Sequence, residues 1–325
     1  MLSLGIDTSN YTTSAALADT EGQILEDNRV LLSVKPGERG LRQSDALFQH
    51  WKNLPGVLDP ILEKYRGEIG SVTVSVRPRP VEGSYMPVFT AGQAAARMTA
   101  SALGVPLYEC SHQEGHLAAA ALGSGLDLSS PFLFAHLSGG TLEIVKVSRG
   151  SYEIAAEGSD ISYGQLLDRC AVMAGFPFPG GKYVDALAME RLEALRGGAS
   201  GAGGGPAAGV SAASAGKNPF ARIYKGGRLN LSGLENQFGK LLSEGKPLPE
   251  LCFFLMERIA ESFRELADGI CSGTGVSQVL LCGGVASSAF LREYLSDRPY
   301  FYGRPELCSD NAAGCALIAG RAPWL

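Results

Sequence analysis

No uninterrupted apolar run in this sequence approaches the roughly 18 residues of a membrane span, so membrane insertion is not expected. The opening MLSLGIDTS has neither a basic n-region nor a long apolar run, which argues against a secretory leader. CxxC pairs are missing. The seven cysteines, at 110, 170, 252, 271, 282, 308 and 315, are odd in number and scattered. That distribution argues against a disulfide framework and for a reducing, cytoplasmic setting. Basic surplus is missing too: 28 Lys+Arg stand against 33 Asp+Glu, for a net charge of -5. Such a balance argues against non-specific coating of nucleic acid, while leaving room for a local basic patch.

What is present is ample core. Apolar residues make up 45% and charged residues 19% of 325, which favours a folded chain of two domains over disorder. Strands are expected at 2–9, 13–19 and about 23–34, followed by a helix at about 44–65 that Pro55 should interrupt. Strand 72–76, helix 90–103, strand 106–110 and helix 112–122 complete a first round. Strands 132–140, 141–148 and 151–158 open a second. Helices at about 163–174 and 184–195, strand 278–284, helix 288–296, strand 299–303 and helix 311–320 follow. Two rounds of β-β-β-α-β-α-β-α predict a duplicated α/β fold, with lobes 1–125 and 126–325 flanking a cleft. The last helix has the option of packing back on the first lobe. Cys110-Ser111-His112 and Cys308-Ser309-Asp310 echo one another at corresponding places in the two rounds.

Residues 197–216 are Gly, Ala and Ser apart from Pro206 and Val210, the composition of a flexible loop. The next stretch carries Lys217, Arg222, Lys225 and Arg228 without an acid, which reads as solvated surface or as a minor nucleic-acid contact.

The sharpest chemical signal is His112-Gln113-Glu114-Gly115-His116. Residues four apart share a helix face, so both imidazoles can address one metal ion. The competing reading is an ordinary helix start. A zinc-peptidase arrangement needs Glu directly after the first His, where this chain has Gln113. A carboxylate would complete an open three-ligand site, and Asp310 is the candidate, supplied by the second lobe. Ser138-Gly139-Gly140-Thr141 and Cys282-Gly283-Gly284-Val285 each follow an apolar strand, where backbone N–H groups can approach an anion. Either could equally be a plain turn. Asp168, upstream of Phe178-Pro179-Gly180-Gly181, suits a ribose hydroxyl, a metal-bound water or plain solvation on a helix surface.

In order along nearly the whole chain, GIDTS at 5–9, HQEGH at 112–116, LSGGT at 137–141, GQLLDR at 164–169, FPGG at 178–181, LSGL at 231–234, GGVASSAFLR at 283–292 and CSDNAA at 308–313 resemble the TsaD family of tRNA threonylcarbamoyltransferases. The resemblance implies an actin-like (ribonuclease H-like) fold and an acyltransferase that moves a threonylcarbamoyl group from its adenylate to tRNA adenosine. It implies a divalent metal, iron or zinc, on His112, His116 and Asp310. It implies an adenine nucleotide against Ser138, Gly139, Gly140, Asp168, Gly181, Gly283, Gly284 and Ser288, and protein partners in tRNA processing.

The chain also departs from that family. Asn10-Tyr11-Thr12 stands where Cys-Asp-Glu is usual, and Arg77-Pro78-Arg79-Pro80 replaces a Gly-Pro-Gly loop. Thr141 follows Ser-Gly-Gly directly, Gln165 replaces a Glu, and Ser288 an Asn. These changes motivate an alternative, a metal- and nucleotide-binding paralogue acting as scaffold or regulator. A carbamoyl transfer or kinase reaction on a small metabolite is a third reading, since one fold hosts all three.

Overall fold

The computed structural model describes residues 1–9, 11–34, 41–149, 151–158, 160–199, 217–225 and 228–319. Most of the Gly/Ala/Ser segment, 200–216, lies outside them. No helix among the described residues is long and apolar enough to cross a membrane.

The chain divides into two compact units, residues 1–125 with 303–325, and residues 126–302. In the first, β1 (Leu2–Ser9), β2 (Thr12–Ala18), β3 (Ile24–Leu31), β4 (Ile69–Arg77) and β5 (Leu107–Ser111) form one sheet in the order β3-β2-β1-β4-β5. The first three strands are antiparallel, and β4 and β5 run parallel to β1. In the second, β6 (Phe132–Leu137), β7 (Leu142–Ser148), β8 (Ser151–Glu157), β11 (Gln278–Cys282) and β12 (Tyr300–Tyr302) take the order β12-β11-β6-β7-β8. The two orders are the same topology, the duplicated actin-like fold expected from the sequence.

Alternation along β1 sets what each face does. Leu4 and Ile6 are wholly buried in a core shared with α1 (Gln43–Tyr65) and α2 (Phe89–Leu103). Gly5 and Asp7 therefore face the other way, toward the elements that carry the site. The expected break at Pro55 does not occur: α1 runs unbroken through both Pro55 and Pro60. Its buried stripe, Ala46, His50, Leu54, Val57, Leu58 and Ile61, has helical spacing, and its packing outweighs the hydrogen bonds that two prolines remove.

The second unit is built around the long helix α7 (Leu248–Thr274), on which α6 (Ser232–Ser243) packs and most of whose inward residues are fully buried. A two-stranded hairpin, β9 (Tyr224–Lys225) with β10 (Arg228–Leu229), falls in the basic segment that the sequence reading left without structure. Arg222 there pairs with Glu265 at 3.7 Å.

The grouping of 126–325 as one lobe changes at its end, where the last helix takes the option of packing back on the first lobe. Helix α9 (Ala313–Ile318) packs on β1, β2, β4 and on α3 (His112–Ala121), all in the first unit. Glycines decide this. A Cβ on Gly5 would meet Ala312 O at 2.3 Å and Ala316 N at 2.4 Å. One on Gly314 would meet Gly115 O at 1.8 Å. The backbones approach so closely that only glycine fits at either point. Helix α9 is also shorter than expected, and Cys308-Ser309-Asp310 lies in a turn ahead of it, after one turn of 3-10 helix at Pro305–Leu307.

Candidate metal centre and glycine-rich turns

Strand β5 delivers Ser111 to the N-cap of α3. Its Oγ accepts from Glu114 N at 3.2 Å, and Glu114 Oε2 accepts from Ser111 N at 2.6 Å. This capping box satisfies two orphan donors and fixes the first turn. Glu114 is thereby spent on the cap, while His112 and His116 project together. Their Nε2 atoms are 3.0 Å apart. Asp310 Oδ1 lies 3.6 Å from His112 Nε2 and 3.4 Å from His116 Nε2. The three ligand atoms fall within 4.8 Å of one another. Two nitrogens on one tetrahedral ion at about 2.0–2.1 Å would sit about 3.3 Å apart, so the donor set fits a single divalent cation.

All three residues belong to the first unit, so the carboxylate arrives on the returning C-terminal segment. That segment is tied down locally. Asn311 Nδ2 donates to Leu307 O at 2.9 Å and to Ser309 O at 2.7 Å. From β3, Arg29 donates to Ser309 Oγ at 2.8 Å and to Glu306 O at 3.0 Å.

Behind His112 stands Asp7, fully buried. Asp7 Oδ1 accepts from His112 Nδ1 at 3.0 Å and from Ser75 Oγ, and Oδ2 accepts from Ser9 N at 3.2 Å. Burial alone would raise this carboxyl, but His112 and these donors hold it below the usual range. An ionised carboxylate can only accept, so Nδ1 carries a proton; burial opposes a charge on His112, yet Asp7 and Asp310 hold this imidazole well above the ordinary range, so a cation at the centre would take the place of its Nε2 proton. Burial likewise opposes ionisation of Asp310, yet the two imidazoles hold its carboxyl well below the ordinary value. Burial lowers His116, as does His112 beside it. Asp7 was quoted in a motif but not assigned to the site. The available signal is that Asp7 is the one charged residue of β1, set within the strand. Asp7→Asn should weaken metal binding by roughly 10- to 100-fold, the usual cost of losing an outer partner. Titration of the metal against a chelator would show it, and unchanged affinity would remove Asp7 from the centre.

In the second unit, the turn after β6 is closed by Ser138 N donating to Thr141 O at 2.8 Å and Thr141 N donating to Ser138 Oγ at 3.1 Å. Gly139 and Gly140 are exposed, with nothing near where a Cβ would stand. Helix α4 (Tyr163–Met173) begins against this turn. Ser162 Oγ donates to Gly139 O at 2.8 Å, and a Cβ on Gly164 would meet Gly139 Cα at 2.6 Å. Gln165 completes the capping box with Ser162, so the amide serves the helix start as a carboxylate would. β11 runs parallel beside β6, and the turn that follows it is pinned there: Val285 N donates to Leu137 O at 3.0 Å. Gly283 has φ +99, and a Cβ on it would fall 2.3 Å from Leu137 O. The two glycine turns thus lie side by side at the carboxyl ends of adjacent parallel strands, where ligands bind in open α/β sheets.

Asp168 does not point into free space. Its Oδ1 accepts from Gly180 N at 2.7 Å and Gly181 N at 3.0 Å, holding the turn that opens α5 (Gly181–Ala199). Burial raises its carboxyl against the lowering pull of those two donors. Ser288 caps α8 (Ala289–Tyr294): its Oγ accepts from Leu291 N at 3.0 Å and donates to Asp185. Asp185, one turn into α5, also accepts from Ala289 N at 3.0 Å and Phe290 N at 3.1 Å. Sequence reading passed over Asp185, since nothing local marks an acid that caps a helix about a hundred residues later.

The description "tRNA N6-adenosine threonylcarbamoyltransferase" (TsaD) belongs to the family model that matches residues 34–317. The chain is 29% identical to the tRNA N6-adenosine threonylcarbamoyltransferase of Thermofilum pendens, over 98% of this chain and 88% of that protein. It is 27% identical to a probable bifunctional tRNA threonylcarbamoyladenosine biosynthesis protein of Methanothermobacter thermautotrophicus, covering 98% of this chain but 55% of that longer protein. Among solved structures, full-length HypF superposes with a TM-score of 0.57 at 14% identity, covering 98% of this chain and 55% of that one. A ROK family glucokinase from Streptomyces griseus gives 0.51 at 14% identity, covering 99% and 100%. At such identities these structures speak for the fold alone. The family match begins after β3 and takes in the histidine pair, Asp310 and both glycine turns, and the chain is a member of the TsaD family.

Proposed function

We propose that this chain is a tRNA N6-adenosine threonylcarbamoyltransferase, moving a threonylcarbamoyl group from its adenylate to tRNA adenosine. The observation that carries the reading is the His112, His116 and Asp310 cluster, backed by Asp7, within a chain of this family. The residues fit a divalent ion, iron or zinc, which would supply Lewis-acid polarisation of a carbonyl or phosphate oxygen. On binding the ion, His112 would give up the proton that Asp7 and Asp310 favour on it, His116 would bind as the neutral imidazole that burial favours, and Asp310 would offset part of the cation's charge. In the second unit, the backbone N–H groups of Gly139, Gly140, Gly283 and Gly284 are available to phosphate oxygens of an adenine nucleotide. Asp168 and Asp185 act on this region by fixing the Gly180–Gly181 turn and the start of α8.

In the transfer, the exocyclic amine attacks the carbamoyl carbon. A C–N bond forms, the bond to the phosphate oxygen breaks, AMP leaves, and the amine loses a proton. The chain is proposed to work with partner proteins of a threonylcarbamoylation machinery.

The test supplies metal-loaded protein and those partners with unmodified tRNA and threonylcarbamoyl-adenylate, followed by nucleoside chromatography. Threonylcarbamoyladenosine should appear with this chain and not without it. Its absence, together with unaltered tRNA after gene deletion, would end the reading.

A further inference from the structure

The departure at Arg77-Pro78-Arg79-Pro80 is placed beside the metal cluster by hydrogen bonding. Arg77 is the last residue of β4 and registers against Ser111, the residue before His112. Pro78 O accepts from Gln113 N at 3.0 Å, so the loop is fastened to the first turn of α3, which carries the histidine pair. Pro78 and Pro80 fix their own φ and hold the residues before them extended, which presents both arginines on a stiff backbone. A turn then closes the loop: Ser84 N donates to Val81 O at 3.2 Å, Gly83 has φ +76, and Arg79 N donates to Ser84 Oγ at 3.0 Å.

Three properties of this loop have no role in packing. Arg77 is exposed and makes no ion pair among the described residues. Tyr85 is 68% exposed, an aromatic face turned to water. Across 77–88 the charges are Arg77, Arg79 and a single acid, Glu82, in a protein whose total is -5. An exposed cation on the same short loop as an exposed aromatic ring supplies the elements of a single-stranded nucleic-acid contact, in which a phosphate meets arginine and an unpaired base stacks on the ring.

We propose that the loop at 77–88 is an RNA-docking surface, with Arg77 engaging a backbone phosphate of an unpaired RNA loop and Tyr85 stacking one of its bases. The inference rests on the proposed tRNA acceptor and adds where on this chain that acceptor is gripped. It also gives the Arg-Pro-Arg-Pro sequence a positive function in place of a lost one.

The experiment measures binding of a fluorescein-labelled, unmodified anticodon stem-loop RNA to the full chain by anisotropy, over a range of salt. A blunt duplex of the same stem serves as comparison. Tyr85→Ala should weaken the stem-loop by roughly 5- to 150-fold, with Tyr85→Phe close to wild type. Arg77→Ala should weaken it and make the log–log salt slope shallower by about 0.7, whereas Arg77→Lys should keep the slope. Both side chains are exposed, so bound metal and melting temperature should stay at wild-type values. Wild-type affinity for the stem-loop in the Tyr85 and Arg77 alanine variants would overturn the docking surface. So would equal preference for the duplex. If transfer to tRNA persists in those variants alongside unchanged binding, the docking surface fails and the transferase reading stands. A wild-type chain that neither binds the RNA nor modifies tRNA with its partners sinks both.

Discussion

His112→Ala is expected to strip the chain of its bound metal. The centre offers three protein ligands, and this change removes one outright. Loss of a mere outer partner costs roughly 10- to 100-fold in affinity, so loss of a direct ligand should exceed that. The substitution also removes the imidazole that stands between the buried Asp7 and the half-buried Asp310, 3.0 Å from Asp7 Oδ1 and 3.6 Å from Asp310 Oδ1. Their repulsion across the vacated space disfavours the ligand geometry further. Elemental analysis of freshly purified wild type and variant reads the result directly. Equal metal content would refute the ligand assignment. A thermal melt guards against trivial unfolding: the variant should melt near chelator-treated wild type, because both lack the cation and retain the rest of the unit.

Gly314→Ala should be the most damaging single methyl group in the first unit. Its Cβ would stand 1.8 Å from Gly115 O and 2.5 Å from Gly115 C, both backbone atoms of α3. No rotamer change can relieve a backbone clash, so α9 must move away from α3. Overpacking of a core usually costs about 1–3 kcal/mol, and a backbone-on-backbone collision belongs at or above the top of that range. For a unit of this size, each kcal/mol shifts the midpoint by about 2–4 °C, so a drop of at least about 6 °C is expected. Since Asp310 lies three residues before α9, bound metal should fall in parallel. Gly56→Ala is the matched comparison. Gly56 is exposed in α1 with nothing within 4 Å of its would-be Cβ, and alanine there should stabilise by about 0.5–1 kcal/mol. Equal melting of the two variants would show that the α3–α9 crossing is not tight in solution.

The same glycine contacts explain a difference between the sequence reading and the structure. From element order, Asp310 belongs to the second round and was assigned to the second lobe. The close approach of α9 to β1 and α3 through Gly5, Gly115 and Gly314 instead draws residues 303–325 into the first unit. The carboxylate that joins His112 and His116 is therefore of their own unit. Likewise α1 passes through Pro55 because six residues of its buried stripe face the sheet, and no single position reveals that support.

Local chemistry was legible from residues alone because its causes span only a few positions. Helical periodicity put His112 and His116 on one face. Paired glycines after apolar strands marked both turns, and the recurring element order gave the duplicated sheet. Asp310 as a neighbour of the histidines, Asp7 as the support of His112, and Asp185 as the cap of α8 depended on which distant surfaces bury one another. Those pairings are separated by about a hundred residues or more, and they are fixed by burial of apolar faces and by glycines that let backbones touch. Neither cause leaves a periodic trace at the residues it brings together.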